Sequence, residues 1–447
     1  ADTETIKLEQ NYRSTSNILK AANAVIAKNA DRLGKNLWTE SGEGEPIALY
    51  AAFNEHDEAR YIADRLAAWA SEGNRREDSA ILYRSNAQSR VLEAALLQAE
   101  IPYRIYGGQR FYERLEIKNA LCYLRMMLNC NDDVAFERVV NIPPRGIGDR
   151  TLEQIREISR EAGCSLWDAS TRMVEEKRLT ARAANAVSGF MVLINEMSGQ
   201  LDELPLSEQA ENAIQHSGLV DMHRREKGER GQARVENLEE LVNACKNFEP
   251  EDSGAPVLPQ FLDQVALDAG DRQADQDEDA VQLMTLHSAK GLEFPMVFLA
   301  GMEENLFPHK MSIDEPGRLE EERRLAYVGI TRAMQKLTMT FAETRSTYGT
   351  ESFNSVSRFI RDIPKDVVEE VRLHNSISRP TTYAGVTNSD EGSDTGFQLG
   401  QQVRHNVYGD GIILNFEGNG PRARVHIAFD EVGAKILILA SANLVAI

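Results

Sequence analysis

Asn11-Tyr12-Arg13-Ser14-Thr15 stands at the entrance to a segment rich in Ala and Ile. An aromatic ring there can stack on a base while the adjacent guanidinium contacts a phosphate, although two neighbouring surface residues would look the same. Ser14 or Thr15 is the expected helix N-cap. A second stretch, Thr285-Leu286-His287-Ser288-Ala289-Lys290-Gly291-Leu292-Glu293-Phe294, sets imidazole, hydroxyl, ammonium and carboxylate groups in a loop between two apolar runs. Loops carried by a rigid scaffold are where binding residues concentrate. A third, LEEERRLAYVGITRAMQK over 319–336, brings a charged helix, a small-residue break and Arg332 into quick succession. Its spacing predicts Leu325, Val328 and Tyr327 on one face, with Glu321, Glu322, Arg323 and Arg324 towards solvent or a neighbour. Alone, it reads as a surface helix with i,i+4 ion pairs. In Pro143-Pro144-Arg145-Gly146-Ile147-Gly148, the Gly-Ile-Gly turn before the helix TLEQIREISREAG can offer backbone N–H groups to an anion, or be a plain tight turn.

A sheet is needed to hold these residues. The run IALYAAF, a helix over 57–70, the run SAILYRS and a helix over 85–99 alternate as in a parallel α/β sheet. Ligands of such sheets sit beyond the strand C-termini, which makes Arg84, Asn86 and Arg90 a candidate contact surface or a solvated loop. After Tyr106-Gly107-Gly108 the pattern is helical to Phe248, with no convincing strand, as expected of a separate insertion. Alternation at Val281, Leu283 and Thr285, then at Met296, Phe298 and Leu299, returns the chain to the sheet. LTMTFAE is expected to close that sheet, and a helix follows around 355–363. Residues 374–396 are rich in Ser, Thr and Gly and read as disordered. Short alternating strands with Gly turns after Gln402 predict a small SH3-like barrel.

A chain of 447 residues exceeds one core and implies two or three domains. The net charge of -20 weighs against nucleic acid as a partner. The acid is localised, however: Asp271, Asp275, Asp277, Glu278 and Asp279 fall within 249–279, whereas basic residues gather over 104–114 and at His223-Arg224-Arg225. Regional asymmetry matters more than the total. Cys122, Cys130, Cys164 and Cys245 lack CxxC spacing, which argues against zinc and for reduced thiols. No apolar run reaches spanning length and ADTETIKLEQ is no signal peptide, so a cytoplasmic protein without a membrane segment is expected.

QNYRST, TLHSAKGLEF and EERRLAYVGITRA resemble, in order and spacing, motifs IV, V and VI of the UvrD/PcrA/Rep family of superfamily-one DNA helicases. The last β unit resembles that family's Tudor-like tail. The resemblance covers essentially the whole chain and implies an α/β fold. A RecA-like second motor domain would occupy 1–106 and 280–370, interrupted by an all-helical insertion over 107–279. A flexible linker over 371–396 and an SH3-like, Tudor-like β-barrel over 397–447 would follow. It also implies that Tyr12 stacks on adenine, Glu293 binds the ribose, and Arg13 and Arg332 reach the γ-phosphate as arginine fingers. Arg84, Asn86, Thr285 and His287 would lie near single-stranded DNA, and Gly146, Ile147 and Gly148 would contact duplex backbone. The implied cofactor is ATP with Mg²⁺. The implied partners are single-stranded DNA, duplex junctions and, through the barrel, RNA polymerase or repair proteins in a bacterial cytoplasm.

One departure is large. A phosphate loop, GxxxxGK[ST], and a strand ending in acidic Mg²⁺ ligands are both missing. Gly34-Lys35-Asn36 lacks the upstream glycine and the hydroxyl, and Asp277-Glu278-Asp279 follows no apolar strand. The expectation is the C-terminal part of an ATP-dependent 3′-to-5′ DNA helicase of repair, without the first motor domain and inactive alone, with no metal ligands of its own. The alternative is a non-enzymatic DNA- or protein-binding module derived from a helicase. A helicase–nuclease fusion is disfavoured by the terminal barrel and the lack of a C-terminal acidic cluster.

Overall fold

The structure is a computed structural model that describes residues 9–29, 37–201, 203–226, 228–251, 254–270, 274, 278–313, 315, 317–347, 350–371, 401–406, 408–417, 424–429, 433–439, 442 and 444–446. The chain opens with α1 (Ser16–Ile26), whose Ile18, Leu19, Ala22 and Val25 fall on one face at helical spacing and are buried. Then come β1 (Ile47–Ala52), α2 (Glu55–Ser71), β2 (Ser79–Tyr83), α3 (Ser89–Gln98) and β3 (Tyr103–Ile105). The helical stretch contains α4 (Leu115–Leu128), α5 (Asp133–Val139), α6 (Asp149–Ala162), α7 (Leu166–Glu175), α8 (Ala181–Ser198), α9 (Leu206–His216), α10 (Leu219–Arg224), α11 (Glu229–Lys246) and α12 (Val257–Gly270). The chain returns through β4 (Val281–Thr285), β5 (Phe294–Leu299), α13 (Lys310–Ile313), α14 (Arg318–Ile330) and β6 (Ala333–Ala342). A hairpin, β7 (Thr344–Thr347) with β8 (Thr350–Phe353), then α15 (Arg358–Arg361) and β9 (Val368–Glu370), complete this part.

Seven described strands form one parallel sheet in the order β3-β4-β2-β5-β6-β1-β9. Alternate residues feed two separate cores. Ala80, Leu82, Val297 and Leu299 pack with α1 and α14, and Ile81, Tyr83, Met296 and Phe298 pack with α2 and α3. A parallel sheet covered on both faces has this pattern. The strand expected to close the sheet lies inside it: β6 pairs with β5 on one side and β1 on the other. Leu337, Thr338, Met339 and Thr340 are buried in succession, as an interior parallel strand requires.

The helices after β3 have their own core, which runs from Phe111 to Val265 and includes Tyr123, Phe136, Phe190 and Leu238. Where they meet the sheet the contact is polar. Arg114 donates to Ser89 Oγ at 2.6 Å, to the Asn86 carbonyl at 2.9 Å and to Asn237 Oδ1 of α11 at 3.0 Å. Arg90 meets Glu240 of α11 at 2.6 Å. The gathering of basic residues over 104–114 is therefore not a solvent-facing patch. Arg110 and Arg114 are buried beside Glu93, because a charge leaves water only with partners to satisfy it.

The terminal strands β10 (Gln402–His405), β11 (Gly409–Glu417), β12 (Arg424–Phe429), β13 (Gly433–Ile438) and β14 (Val445–Ala446) form an antiparallel sheet in the order β13-β12-β11-β10-β14. It encloses Val403, Ile413, Val425, Ile427 and Phe429. The segment 374–396, expected to be disordered, and Gly34-Lys35-Asn36 lie outside the described residues.

Candidate functional site

The three stretches that carry chemistry meet along one seam. The Phe294 N–H, at the start of β5, donates to the Arg332 carbonyl at 2.9 Å, joining the second stretch to the third. Ser14 Oγ donates to the Ala333 carbonyl at 2.6 Å and the Thr15 N–H to the Met334 carbonyl at 3.1 Å, joining the first to the third. Thr15 is the N-cap residue of α1, but its side chain makes no cap bond, and Ser14 spends its hydroxyl on the seam. The first N–H groups of α1 are met by chain carbonyls instead, Ser16 by Gly42 at 2.9 Å and Asn17 by Glu43 at 3.0 Å. That helix end is thereby closed to an anion.

At this seam Arg13 Nε meets the Glu293 carboxylate, and Arg13 Nη1 lies 3.4 Å from the Thr331 carbonyl. Arg332 is fixed from three sides: Nε donates to the Val328 carbonyl at 3.0 Å, Nη1 to the Leu292 carbonyl at 2.9 Å and Nη2 to Thr331 Oγ1 at 3.3 Å. Burial, and then the Arg13 charge, push the Arg332 guanidinium below its ordinary value, with Glu293 and Tyr327 opposing. The described side-chain bonds of Arg332 all go to neutral oxygens, so a polyanion such as a triphosphate would supply countercharge there. Tyr12, one residue away, is 81% exposed, so its ring is open to stacking. These residues fit the base and phosphate ends of a nucleotide. Among the described residues no group of three or more His, Cys, Asp or Glu could hold a metal ion.

The helix before Arg332 buries a different face from the one its sequence suggests. Glu322, Arg323, Leu325, Ala326, Gly329 and Ile330 are inside, whereas Tyr327 and Val328 are only partly buried. Gly329 permits this approach, since a Cβ there would stand 2.6 Å from Leu286 Cδ2. The buried charges are paired, Arg323 with Asp362 and Glu322 with Arg84. Arg84 Nε lies 3.0 Å from both Glu322 oxygens and Nη2 lies 2.7 Å from Oε1. Glu322 was not singled out by its sequence. Its place three and four residues before Leu325 and Ala326 is the signal that an acid there must turn inward and find a cation.

Arg84 therefore faces α14 rather than open solvent, with its side chain 12% exposed. Asn86 begins a short 3₁₀ turn after β2. Thr285 Oγ1 lies 3.0 Å from Ser288 Oγ, and the partly exposed His287 sits 3.9 Å from Glu229 at the start of α11. Burial and the Arg84 charge hold its imidazole below its ordinary value. Arg84, Asn86, Thr285 and His287 thus collect on the side of the sheet facing α11, apart from the Arg13–Arg332 seam. Further off, Gly146 (φ 84°) and Gly148 flank the buried Ile147 at the start of α6, and no atom would meet a Cβ at either glycine. Asn141 Oδ1 braces this turn, accepting from the Arg145 N–H at 2.8 Å and the Ile147 N–H at 3.2 Å.

The pairing of Glu322 gives a pH dependence. Burial raises its carboxyl pKa, but hydrogen bonds from Arg84 and the Arg84 charge outweigh that and hold it below the ordinary 4.5. A carboxylate lowered in the fold stabilises above its unfolded value, and that contribution is lost as pH falls through the lower folded value. Glu322→Gln should therefore flatten the acid limb of stability below pH 4.5, measured by denaturant unfolding across pH. An acid limb identical to that of the parent would remove Glu322 as its source.

Among the described residues no helix is long and apolar enough to cross a membrane. Residues 6–344 match the model of the UvrD-like helicase C-terminal domain, and residues 399–443 match that of the PcrA/UvrD tudor domain. The chain is 57% identical over 443 residues to DNA helicase II of Escherichia coli, an alignment covering 99% of this chain and 62% of that protein. It is 43% identical to the ATP-dependent DNA helicase PcrA of Bacillus subtilis, covering 98% of this chain and 62% of that one. It is 42% identical to the ATP-dependent DNA helicase UvrD1 of Mycobacterium tuberculosis, covering 97% and 60%. The chain thus spans about three fifths of the length of these relatives. The chain belongs to the UvrD-like helicase C-terminal domain family.

Proposed function

We propose that this chain forms the C-terminal part of an ATP-dependent 3′-to-5′ DNA helicase of bacterial DNA repair, acting in the cytoplasm. It comprises the second motor domain (1–106 and 280–370), an inserted helical domain (107–279), a linker and a Tudor-like barrel. The observation that carries this reading is the pair Arg13 and Arg332, both reaching Thr331, with Glu293 paired to Arg13. Tyr12 stacks on the base, Glu293 reaches the ribose, and Arg13 and Arg332 neutralise phosphate charge. ATP supplies the phosphoryl group whose transfer drives the motor, and Mg²⁺ together with the phosphate loop belongs to a first motor domain.

Thr285, His287 and Asn86 border the path of single-stranded DNA. Arg84, committed to Glu322 with Glu229 nearby, is charge-compensated and serves that face by positioning. In the turn Gly146-Ile147-Gly148 the Ile147 N–H is spent on Asn141, and the glycine N–H groups on either side of it are the ones offered to duplex phosphates, which positions the duplex without reading its sequence. Junctions of single and double strands are the substrate, and the barrel meets RNA polymerase or a repair protein. Loss of polymerase capture on removing 397–447 is the check on that partner.

The test joins this chain to a phosphate-loop motor domain of a relative and measures DNA-stimulated ATP hydrolysis and unwinding of 3′- and 5′-tailed duplexes. Turnover should appear only in the joined protein, with the 3′-tailed substrate unwound. Turnover by the chain alone would overturn the division of labour. DNA binding without turnover in the joined protein would favour a non-enzymatic binding module.

A further inference from the structure

The described donors to the buried carboxylate of Glu322 all come from outside its own helix, α14. Arg84 clasps both oxygens, the His309 N–H donates at 3.1 Å, and Ser312 Oγ lies 3.3 Å away. A buried ion pair is often no more stabilising than apolar residues of the same size, so its place in the fold is what calls for an account.

That place lies between the two candidate sites. Arg84 leaves β2 on the face shared by Asn86, Thr285 and His287, and Gln88 Oε1 holds the bend by accepting from the Arg84 N–H at 3.0 Å and the Ser85 N–H at 2.9 Å. The far end of α14 holds Arg332, through the Val328 carbonyl and Thr331 Oγ1. Along a helix axis, Glu322 and Val328 stand about 9 Å apart. A second connection runs through the loop between β4 and β5, whose Leu286 N–H donates to the Tyr83 carbonyl at 2.9 Å and whose Leu292 carbonyl accepts from Arg332 Nη1 at 2.9 Å. The two routes touch at Gly329. A Cβ there would stand 2.6 Å from Leu286 Cδ2 and 3.0 Å from Leu299 Cδ2, and parts packed that closely transmit a displacement rather than absorb it.

We propose that Glu322 is a positioning residue that couples the two sites: its pair with Arg84 makes α14 follow the DNA face, so that single-stranded DNA on that face sets where Arg332 stands. Phosphates arriving there draw the Arg84 guanidinium and repel the carboxylate behind it, which supplies the differential interaction that a shift between two arrangements requires. The inference rests on the reading of Arg84, Asn86, Thr285 and His287 as DNA-facing and of Arg332 as a nucleotide contact. It adds the link between them.

The experiment uses the joined enzyme and reads ATP turnover with and without a single-stranded oligonucleotide. Glu322→Gln should lower the DNA-stimulated kcat about 10-fold, a size within the usual range of coupling between sites, while turnover without DNA and the Kd for the oligonucleotide stay within about 2-fold. Coupling in binding is reciprocal, so the change in oligonucleotide affinity on adding a non-hydrolysable ATP analogue should shrink as well. A purely structural role would weaken turnover with and without DNA alike. Glu322→Asp, which keeps the charge, should restore part of the stimulation. Because Glu322→Gln leaves a buried guanidinium without its carboxylate, a cycle with Arg84→Gln accompanies it: the double variant, free of the orphaned charge, should be stimulated no less than either single one. Full stimulation in Glu322→Gln, an equal loss with and without DNA, or additive losses in the cycle overturns the proposal. If Arg332→Ala also leaves turnover untouched, the underlying nucleotide reading fails as well. If Arg332→Ala is inactive and Glu322→Gln is parental, only the present inference fails.

Discussion

Replacing Arg332 by alanine in the joined enzyme is expected to lower ATP turnover about a thousand-fold or more, while single-strand DNA binding stays largely intact. The expectation follows from how the side chain is held. Three of its five N–H groups are used in described bonds to Val328, Leu292 and Thr331, which fixes the plane of the guanidinium and directs the rest of the fork outward. A group already oriented loses little further entropy when charge develops on a transferring phosphoryl group. Lysine at this position should rescue poorly, because a single ammonium cannot reproduce the anchoring bonds and the planar fork together. Steady-state hydrolysis with saturating DNA, and anisotropy titration of a labelled oligonucleotide, separate the two effects. Near-normal turnover in Arg332→Ala would remove this residue from the catalytic role.

The largest loss of stability is expected at Arg345, away from that seam. Its Nη2 lies 2.6 Å from both Glu58 Oε2 and Glu303 Oε1, and its Nε lies 3.1 Å from Glu303 Oε2. Both carboxylates are buried and tie distant parts of the sheet together. Glu58 accepts from the Gly301 N–H at 2.8 Å and from Thr340 Oγ1 at 2.6 Å, and Glu303 accepts from the Ala342 N–H at 2.7 Å. Arg345→Ala would strand two buried negative charges, and breaking one side of a buried pair costs about 3–5 kcal/mol. Denaturant unfolding should register that loss. A triple variant, Arg345→Met with Glu58→Gln and Glu303→Gln, should recover part of it, because it removes the orphaned charges. A loss in Arg345→Ala below about 1 kcal/mol, the range of a surface pair, would show that water reaches the cluster.

The seam and the cluster mark how far the residue order speaks for itself. Alternation along β2 and β5, the helical spacing of α1 and the break before Arg332 are local patterns. They were enough to establish an α/β sheet, a helical insertion, a terminal β unit and the three stretches that carry the family resemblance. The position of β6 was not local. LTMTFAE could close a sheet or sit within it, and pairing with both β5 and β1 decides the matter. The charged residues of α14 were legible as a group and not as individuals. Glu322 and Arg323 turn inward because Arg84 and Asp362 are there to receive them, and those partners lie 238 and 39 residues away along the chain. The same holds for Arg110 and Arg114, which read only as part of a gathering of basic residues until Glu93, Ser89 and Asn237 are seen beside them.

Residue type and spacing alone thus determined the class of fold and singled out the three stretches that meet at the seam. Only the tertiary structure decided that Arg13 and Glu293, 280 residues apart, share one ion pair beside Arg332. The reason is physical: hydrophobic periodicity is read one turn or one strand at a time. Charge pairing depends on which groups the finished packing brings within a few ångströms and withdraws from water.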